Sequence, residues 1–238
     1  MTRNGLGDKF LQELLRIDEE TRRRVAQKGC PHCGGRLDRG DYLRKPRGGL
    51  LLVIGEAYCK RFSLCCGRRG CRRRVTPASV RFLGRRVYLC MVVVLVSIVY
   101  CQATQLVLQA QKEQGKRESF QRAREQARRK KLAAQQAKRE TGVPCRTMKR
   151  WTRWWQGEFP RSRFYQEQQG RFVPGLAMFA LPASLLERFE AEAADQPEAL
   201  VRMLVFISPL SSGSGASGSR ELRVQRRHAE EGVTVGKC

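Results

Sequence analysis

Histidine and aspartate are scarce in this chain. It has two histidines, His32 and His228, and five aspartates, Asp8, Asp18, Asp38, Asp41 and Asp195. Nucleophilic hydrolysis by a serine, histidine and carboxylate set needs those groups in reach of one another, and no such set is visible. Negative charge is short overall: 22 acidic residues face 47 lysines and arginines, a formal net charge of +25. A surplus of that size repels itself unless a polyanion neutralises it. Nucleic acid is the first candidate partner and an anionic membrane face the second. No secretory leader is read at the start, so the ten cysteines are expected in a reducing, cytoplasmic setting, where metal ligation prevails over disulfides.

Cys59, Cys90, Cys101, Cys145 and Cys238 have no spacing partner, and the other five of the ten cysteines fall into two groups. The first is Cys30-Pro31-His32-Cys33-Gly34-Gly35, and the second is Cys65-Cys66-Gly67-Arg68-Arg69-Gly70-Cys71. A Cys-x-x-Cys turn followed by glycine is the shape of a zinc knuckle, because glycine takes the φ > 0 conformation that aims backbone N–H groups at thiolate sulfur. Two such turns supply the four ligands of a tetrahedral site. Cys30 and Cys33 form one pair, and Cys71 joins either Cys65 or Cys66. One structural Zn2+ is the expected cofactor. His32 lies inside the turn and is expected on its solvent side. Phe62-Ser63-Leu64-Cys65, five residues, then Cys71-Arg72 resembles the second knuckle of topoisomerase-type zinc ribbons, which favours Cys65 over Cys66. Arg72, Arg73 and Arg74 follow at once. They suit the surplus negative charge of four thiolates on one divalent ion and are equally placed to meet phosphates.

The expected fold is mainly α with a small β zinc ribbon. Residues 1–29 hold an N-terminal helix, with Phe10, Leu11, Leu14, Leu15, Ile17 and Val25 at helical spacing, Asp8 at its start and Gly29 at its end. Residues 30–84 form the ribbon, with strands expected at Leu37–Leu43, Leu50–Ile54 and Tyr58–Cys66. Residues 85–111 read as an apolar helix; no charge falls between Val87 and Ala110. That length is near the roughly 20 residues of a bilayer span, but Gln102, Thr104, Gln105 and Gln109 favour burial in protein, with a single span near 87–110 as the alternative. Residues 112–131 form a basic helical linker. Residues 161–209 carry C-terminal helices, one opened by Ser184-Leu185-Leu186-Glu187 as a capping box. Residues 210–238 are a Ser/Gly linker and a tail expected to be disordered.

Residues 132–160 read as helix, tight turn and helix. Thr141-Gly142-Val143-Pro144 is the turn, with Gly142 in the left-handed conformation and Pro144 opening the new helix. At about 100° per residue, Met148, Trp151 and Trp155 share one side, and Arg146, Lys149, Arg150 and Arg153 the other. One face is built to pack, the other to meet anions or guanine edges in a major groove; Thr147 is a minor contributor. Gly142-Val143-Pro144-Cys145-Arg146-Thr147-Met148-Lys149-Arg150-Trp151 resembles the helix-turn-helix segments of transposases and site-specific recombinases. One departure is Lys138, where a small residue is usual. A zinc ribbon, an apolar helix and a helix-turn-helix in that order are similar to the N-terminal DNA-binding part of insertion-sequence transposases.

That resemblance implies binding to double-stranded DNA through Arg146, Thr147, Lys149, Arg150 and Arg153, with Arg72, Arg73 and Arg74 on phosphates. It also implies a separate transposase or recombinase subunit as partner. Transposases of this plan use three carboxylates that hold two metal ions in a separate catalytic domain. No aspartate here lies in an apolar strand followed by a helix, so the chain is expected not to be an enzyme. An RNA-binding zinc ribbon is the remaining alternative.

Overall fold

The computed structural model describes residues 7–44, 56–84, 88–112 and 142–212, together with Arg128, Leu132, Gln135, Lys138 and Arg139. The strand expected at Leu50–Ile54, most of the basic linker and of the helix before Gly142, and the tail beyond Ser212 lie outside the described residues.

Helix α1 (Asp8–Lys28) buries Phe10, Leu14, Asp18 and Arg22, a row with one residue per turn. Its first two members join the main core. Near its other end Val25 and Ala26 pack on the cysteine cluster. Gly29 ends the helix with φ 74, whereas Asp8 does not cap the start: Gly7 stands at that position and no side chain accepts there.

The β structure is smaller than the apolar runs suggest. Strands β1 (Leu37–Arg39) and β2 (Tyr42–Leu43) come first, then a single helical turn, α2 (Glu56–Cys59), then β3 (Lys60–Arg61), β4 (Leu64–Cys66) and β5 (Arg74–Val75). β4 is central, antiparallel to β1 with Leu37 opposite Cys66 and to β5 with Leu64 opposite Val75. β2 pairs with β3 in a separate two-stranded sheet. Tyr58, expected in a strand, lies in α2 and is buried. Its carbonyl, with that of Lys60, accepts from the Arg81 guanidinium at 2.6 and 2.9 Å, so these carbonyls serve a buried arginine instead of a ladder.

Arg81 is the centre of that junction. Its Nε donates to Asp18 Oδ2 at 2.8 Å, and both side chains are essentially sealed from solvent. Asp18 also accepts from Ser79 Oγ at 2.5 Å and from the Val80 N–H at 2.7 Å. The guanidinium lies within 5.3 Å of the ring centres of Tyr58, Phe62 and Phe82. A buried ion pair persists only when its remaining lone pairs and protons are satisfied, and here backbone from several segments does that. The Arg81 carbonyl accepts from the Cys90 N–H at 2.7 Å, and the Ser79 N–H donates to Ser211 Oγ at 2.6 Å. The pair therefore joins α1, the ribbon exit, the start of the next helix and the end of the helical region.

Helix α3 (Cys90–Lys112) is the axis of the main core. From Cys90 to Ile98 only Leu95 is more than marginally exposed. A helix apolar all round belongs inside a larger assembly of helices. It packs against α4 (Cys145–Arg153) and α7 (Gln196–Ile207). Among the described residues no helix is long and apolar enough to cross a membrane.

The chain enters α4 through Gly142, whose φ is 67 and whose N–H donates to the Lys138 carbonyl at 2.9 Å. That left-handed turn is open to glycine without a Cβ clash. α4 buries Met148 and Trp151, and a wide π turn over Trp154–Glu158 carries Trp155 into the same core. Tyr88 meets Trp151 edge-on at 4.9 Å. Beyond it come α5 (Arg163–Gln168) and α6 (Ala183–Glu190) before α7. Ser184 is not a cap: it is buried inside α6 and donates from Oγ to the Ala177 carbonyl. The capping pair belongs to α7, where Asp195 Oδ1 accepts from the Glu198 N–H at 2.7 Å and Glu198 Oε2 accepts from the Ala194 N–H at 2.9 Å.

Candidate metal centre and basic surfaces

Four cysteines converge: the sulfurs of Cys30, Cys33, Cys66 and Cys71 all lie within 4.8 Å of one another. Cys30 Sγ and Cys71 Sγ are 3.7 Å apart, and Cys33 Sγ and Cys66 Sγ 3.4 Å. A disulfide holds its sulfurs at about 2.05 Å, so these are thiols that share a site. The cluster is compatible with a metal ion.

Backbone hydrogen bonds shape the first knuckle. Cys30 donates its N–H to the Gly35 carbonyl at 2.8 Å, and Gly34 donates to the Cys30 carbonyl at 2.8 Å with φ 68. Gly35 faces the cluster so closely that a Cβ there would stand 3.2 Å from Cys66 Sγ and 3.3 Å from Cys33 Sγ. In the second knuckle Cys66 donates to the Arg73 carbonyl at 2.9 Å, Gly67 to the Arg36 carbonyl at 3.0 Å, and Cys71 to the Arg68 carbonyl at 3.0 Å. The two knuckles are thus tied to each other through β1 and β4.

The fourth sulfur of the cluster is that of Cys66, the alternative to Cys65, which the topoisomerase-like spacing favours. The reason is strand alternation. Along β4, Leu64 and Cys66 are buried while Cys65 is half-buried and points to the other face. There its sulfur lies over Gly40, only 2.7 Å from where a Cβ would be. A signal for this was present: Cys33-Gly34 and Cys66-Gly67 repeat the same cysteine–glycine step. His32 is exposed and accompanies Arg73, with Nδ1 3.2 Å from Arg73 Nη1.

The thiols do not titrate alike. The Gly35 N–H, aimed at its sulfur, and then the neighbouring thiols, Cys66 first, hold Cys33 down to about 7. The Arg68 N–H draws Cys66 downward too, but desolvation and hydrogen bonding among the crowded thiols outweigh it and push Cys66 up to about 12. Cys71 is likewise raised, against the pull of the Arg73 N–H. One thiolate therefore forms readily and blocks the next, the usual result for like groups in one site. A bound cation reverses that and favours all four thiolates.

Two basic surfaces are candidates for an anionic partner, one distant from this centre in sequence and one directly after Cys71. On α4, Arg146, Lys149, Arg150 and Arg153 are exposed, opposite buried Met148 and Trp151, and none has an acidic partner among the described residues. Thr147 is half-buried on the flank. After the second knuckle Arg72, Arg73 and Arg74 are all exposed, but they differ. Arg74 donates from Nη1 to the Gly40 carbonyl at 2.8 Å and to Ser63 Oγ at 3.0 Å, and lies over the Tyr42 ring, so it ties β5 to the β1–β2 and β3–β4 connections. Arg72 has φ 47, the one positive φ outside glycine among the described residues.

The buried pair of Asp18 and Arg81 escaped sequence reading. Charged residues in an arginine-rich chain carry no local mark of burial, and only their place in the row Phe10, Leu14, Asp18, Arg22 hints at it. No protein-family model, curated protein or solved structure matches the chain.

Proposed function

We propose that this chain is a zinc-stabilised protein that binds double-stranded DNA through helix α4, without catalytic chemistry of its own. The observation that carries the reading is the division of α4: Met148 and Trp151 are sealed in the core while Arg146, Lys149, Arg150 and Arg153 face outward and unneutralised by described residues. A helix fixed from behind and basic in front suits a major groove, where arginine reads guanine and lysine or arginine holds phosphate. The +25 formal charge supports the same partner.

Zinc is supported by the sulfur geometry. A tetrahedron with metal–sulfur bonds of about 2.3 Å has sulfurs about 3.8 Å apart, and two of the sulfur pairs here stand 3.4 and 3.7 Å apart, near that edge. Such a site would use Cys30, Cys33, Cys66 and Cys71 as ligands. A centre closed by four thiolates leaves no position for a reacting water, so its role is structural. The turn at Gly142, the basic helix and the cysteine knuckles together support the reading that the chain is akin to the DNA-binding part of insertion-sequence transposases. On that reading it acts in the cytoplasm with a separate catalytic subunit.

The test is an equilibrium titration of duplex DNA over a range of salt, with the R150E variant alongside. Affinity is expected to fall linearly with salt on logarithmic axes. Arg150 is exposed, so R150E is expected to cost about 1–3 kcal/mol of binding with thermal stability unchanged. An unaltered affinity would remove α4 from the DNA, and a preference for single-stranded RNA would replace the partner.

A further inference from the structure

We infer that the outer face of the two cysteine knuckles is a second, independent phosphate-binding surface, formed by Arg36, Arg68, Arg69, Arg72 and Arg73. The inference rests on the DNA reading proposed for α4 but concerns different residues.

All five arginines are exposed. Hydrogen bonds of the knuckles bring Arg36, Arg68 and Arg72 together, and Arg69 and Arg73 adjoin them in sequence. Gly67 donates to the Arg36 carbonyl at 3.0 Å, Arg68 Nη1 donates to the Cys33 carbonyl at 3.3 Å, and the Arg72 N–H donates to the Arg68 carbonyl at 3.2 Å. Asp38 is the one acidic side chain paired with the set among the described residues, at 3.1 Å from Arg36 Nε. Five cations exceed what Asp38 and a four-thiolate centre on a divalent ion would neutralise, so the face keeps a positive surplus. A second copy of this chain would be repelled by it, whereas a phosphodiester backbone complements it.

A separate observation points the same way. Arg72 is held at φ 47, a conformation that costs a side chain with a Cβ and that glycine adopts freely. Glycine is already used in this loop, at Gly67 and Gly70. An arginine at this strained position sets a cation on the outer face where glycine would leave none. Arg74 is outside the set because its guanidinium is engaged inside the ribbon.

The experiment compares three variants of the full, metal-loaded chain with the parent: R72G alone, R68Q/R69Q/R72G/R73Q, and R146Q/K149Q/R150Q/R153Q. Each is titrated with one duplex DNA across a salt series, and metal content and thermal midpoint are measured in parallel. The slope of log K against log salt is expected to shrink by about 0.9 for each phosphate no longer neutralised, hence by up to about 3.6 for the knuckle quadruple variant. R72G is expected to lose up to about one such step while its thermal midpoint stays level or rises, an outcome that a purely structural role for Arg72 would not give. If the quadruple variant loses its metal, R72G decides alone. An unchanged slope in a knuckle variant that keeps its metal, or in R72G, overturns the inference, whatever α4 does. A slope that drops for the knuckle variants but not for the α4 variant overturns the α4 reading and keeps this one. A parent chain that ignores duplex DNA at low salt overturns both.

Discussion

Cys65 and Cys66 are adjacent, yet the fold gives them opposite tasks, because successive residues of a strand face opposite sides. Cys66 joins Cys30, Cys33 and Cys71, while Cys65 lies over Gly40. On the proposed metal reading, C66S is therefore expected to lose the ion and C65S to keep one per chain, measured by elemental analysis of the purified proteins. Three of the four cysteines were legible from spacing. The fourth was left between Cys65 and Cys66, since spacing is blind to which face of a strand a residue occupies; the repeated cysteine–glycine step pointed to Cys66 and the register with β1 agrees. Asp18 shows the same limit for charge. It accepts from Ser79, Val80 and Arg81 in a site sealed from solvent, although in sequence it is one acidic residue of a surface-like helix. D18N keeps the shape but leaves the Arg81 cation buried without its counter-charge. The expected loss is about 3–5 kcal/mol, read as a lower denaturant midpoint.

Elements set the limits of what pattern alone can assign. The uncharged run after Val87 was legible as a helix, and α3 is one. The run alone does not say what surrounds it; α4 and α7 on its sides do. The two-sided nature of α4 was legible too, because four basic and three apolar positions divide at 100° per residue. Capping was not. Both Ser184-x-x-Glu187 and Asp195-x-x-Glu198 match the capping pattern, and only the second is used, since Ser184 is drawn inward by the Ala177 carbonyl. Asp195→Ala is expected to cost about 1 kcal/mol in thermal or denaturant unfolding. Glu198 adds a pH dependence of known sign. The Ala194 N–H, then Arg202, hold its carboxyl below the ordinary value of 4.5. Its contribution is therefore present above that pH and lost as pH falls through the depressed value. The stability difference between the parent and E198Q should shrink on acidification below 4.5.

At the scale of the molecule the described residues form two cores of very different size. The larger runs from Phe10 and Leu14 through α3, α4 and the C-terminal helices and contains none of the four clustered cysteines. The smaller is Cys30, Leu37, Leu64 and Cys66 with a rim that includes Val25, Cys33, Cys71 and Val75. Half of its fully buried residues are cysteines of the cluster, which leaves little apolar surface to hold three short strands, and on the proposed reading a bound ion makes up the difference. Chelation should then unfold the ribbon and spare most of the helical signal in far-ultraviolet circular dichroism. On the proposed reading such an ion keeps a basic surface in shape for DNA. The most direct test is the affinity of the chain for duplex DNA over a salt series, before and after exhaustive chelation. The metal-loaded protein should bind with a steep salt slope, and chelation should weaken binding and flatten that slope by the share of the knuckle arginines. Identical slopes with and without metal, or no binding at low salt, would contradict it.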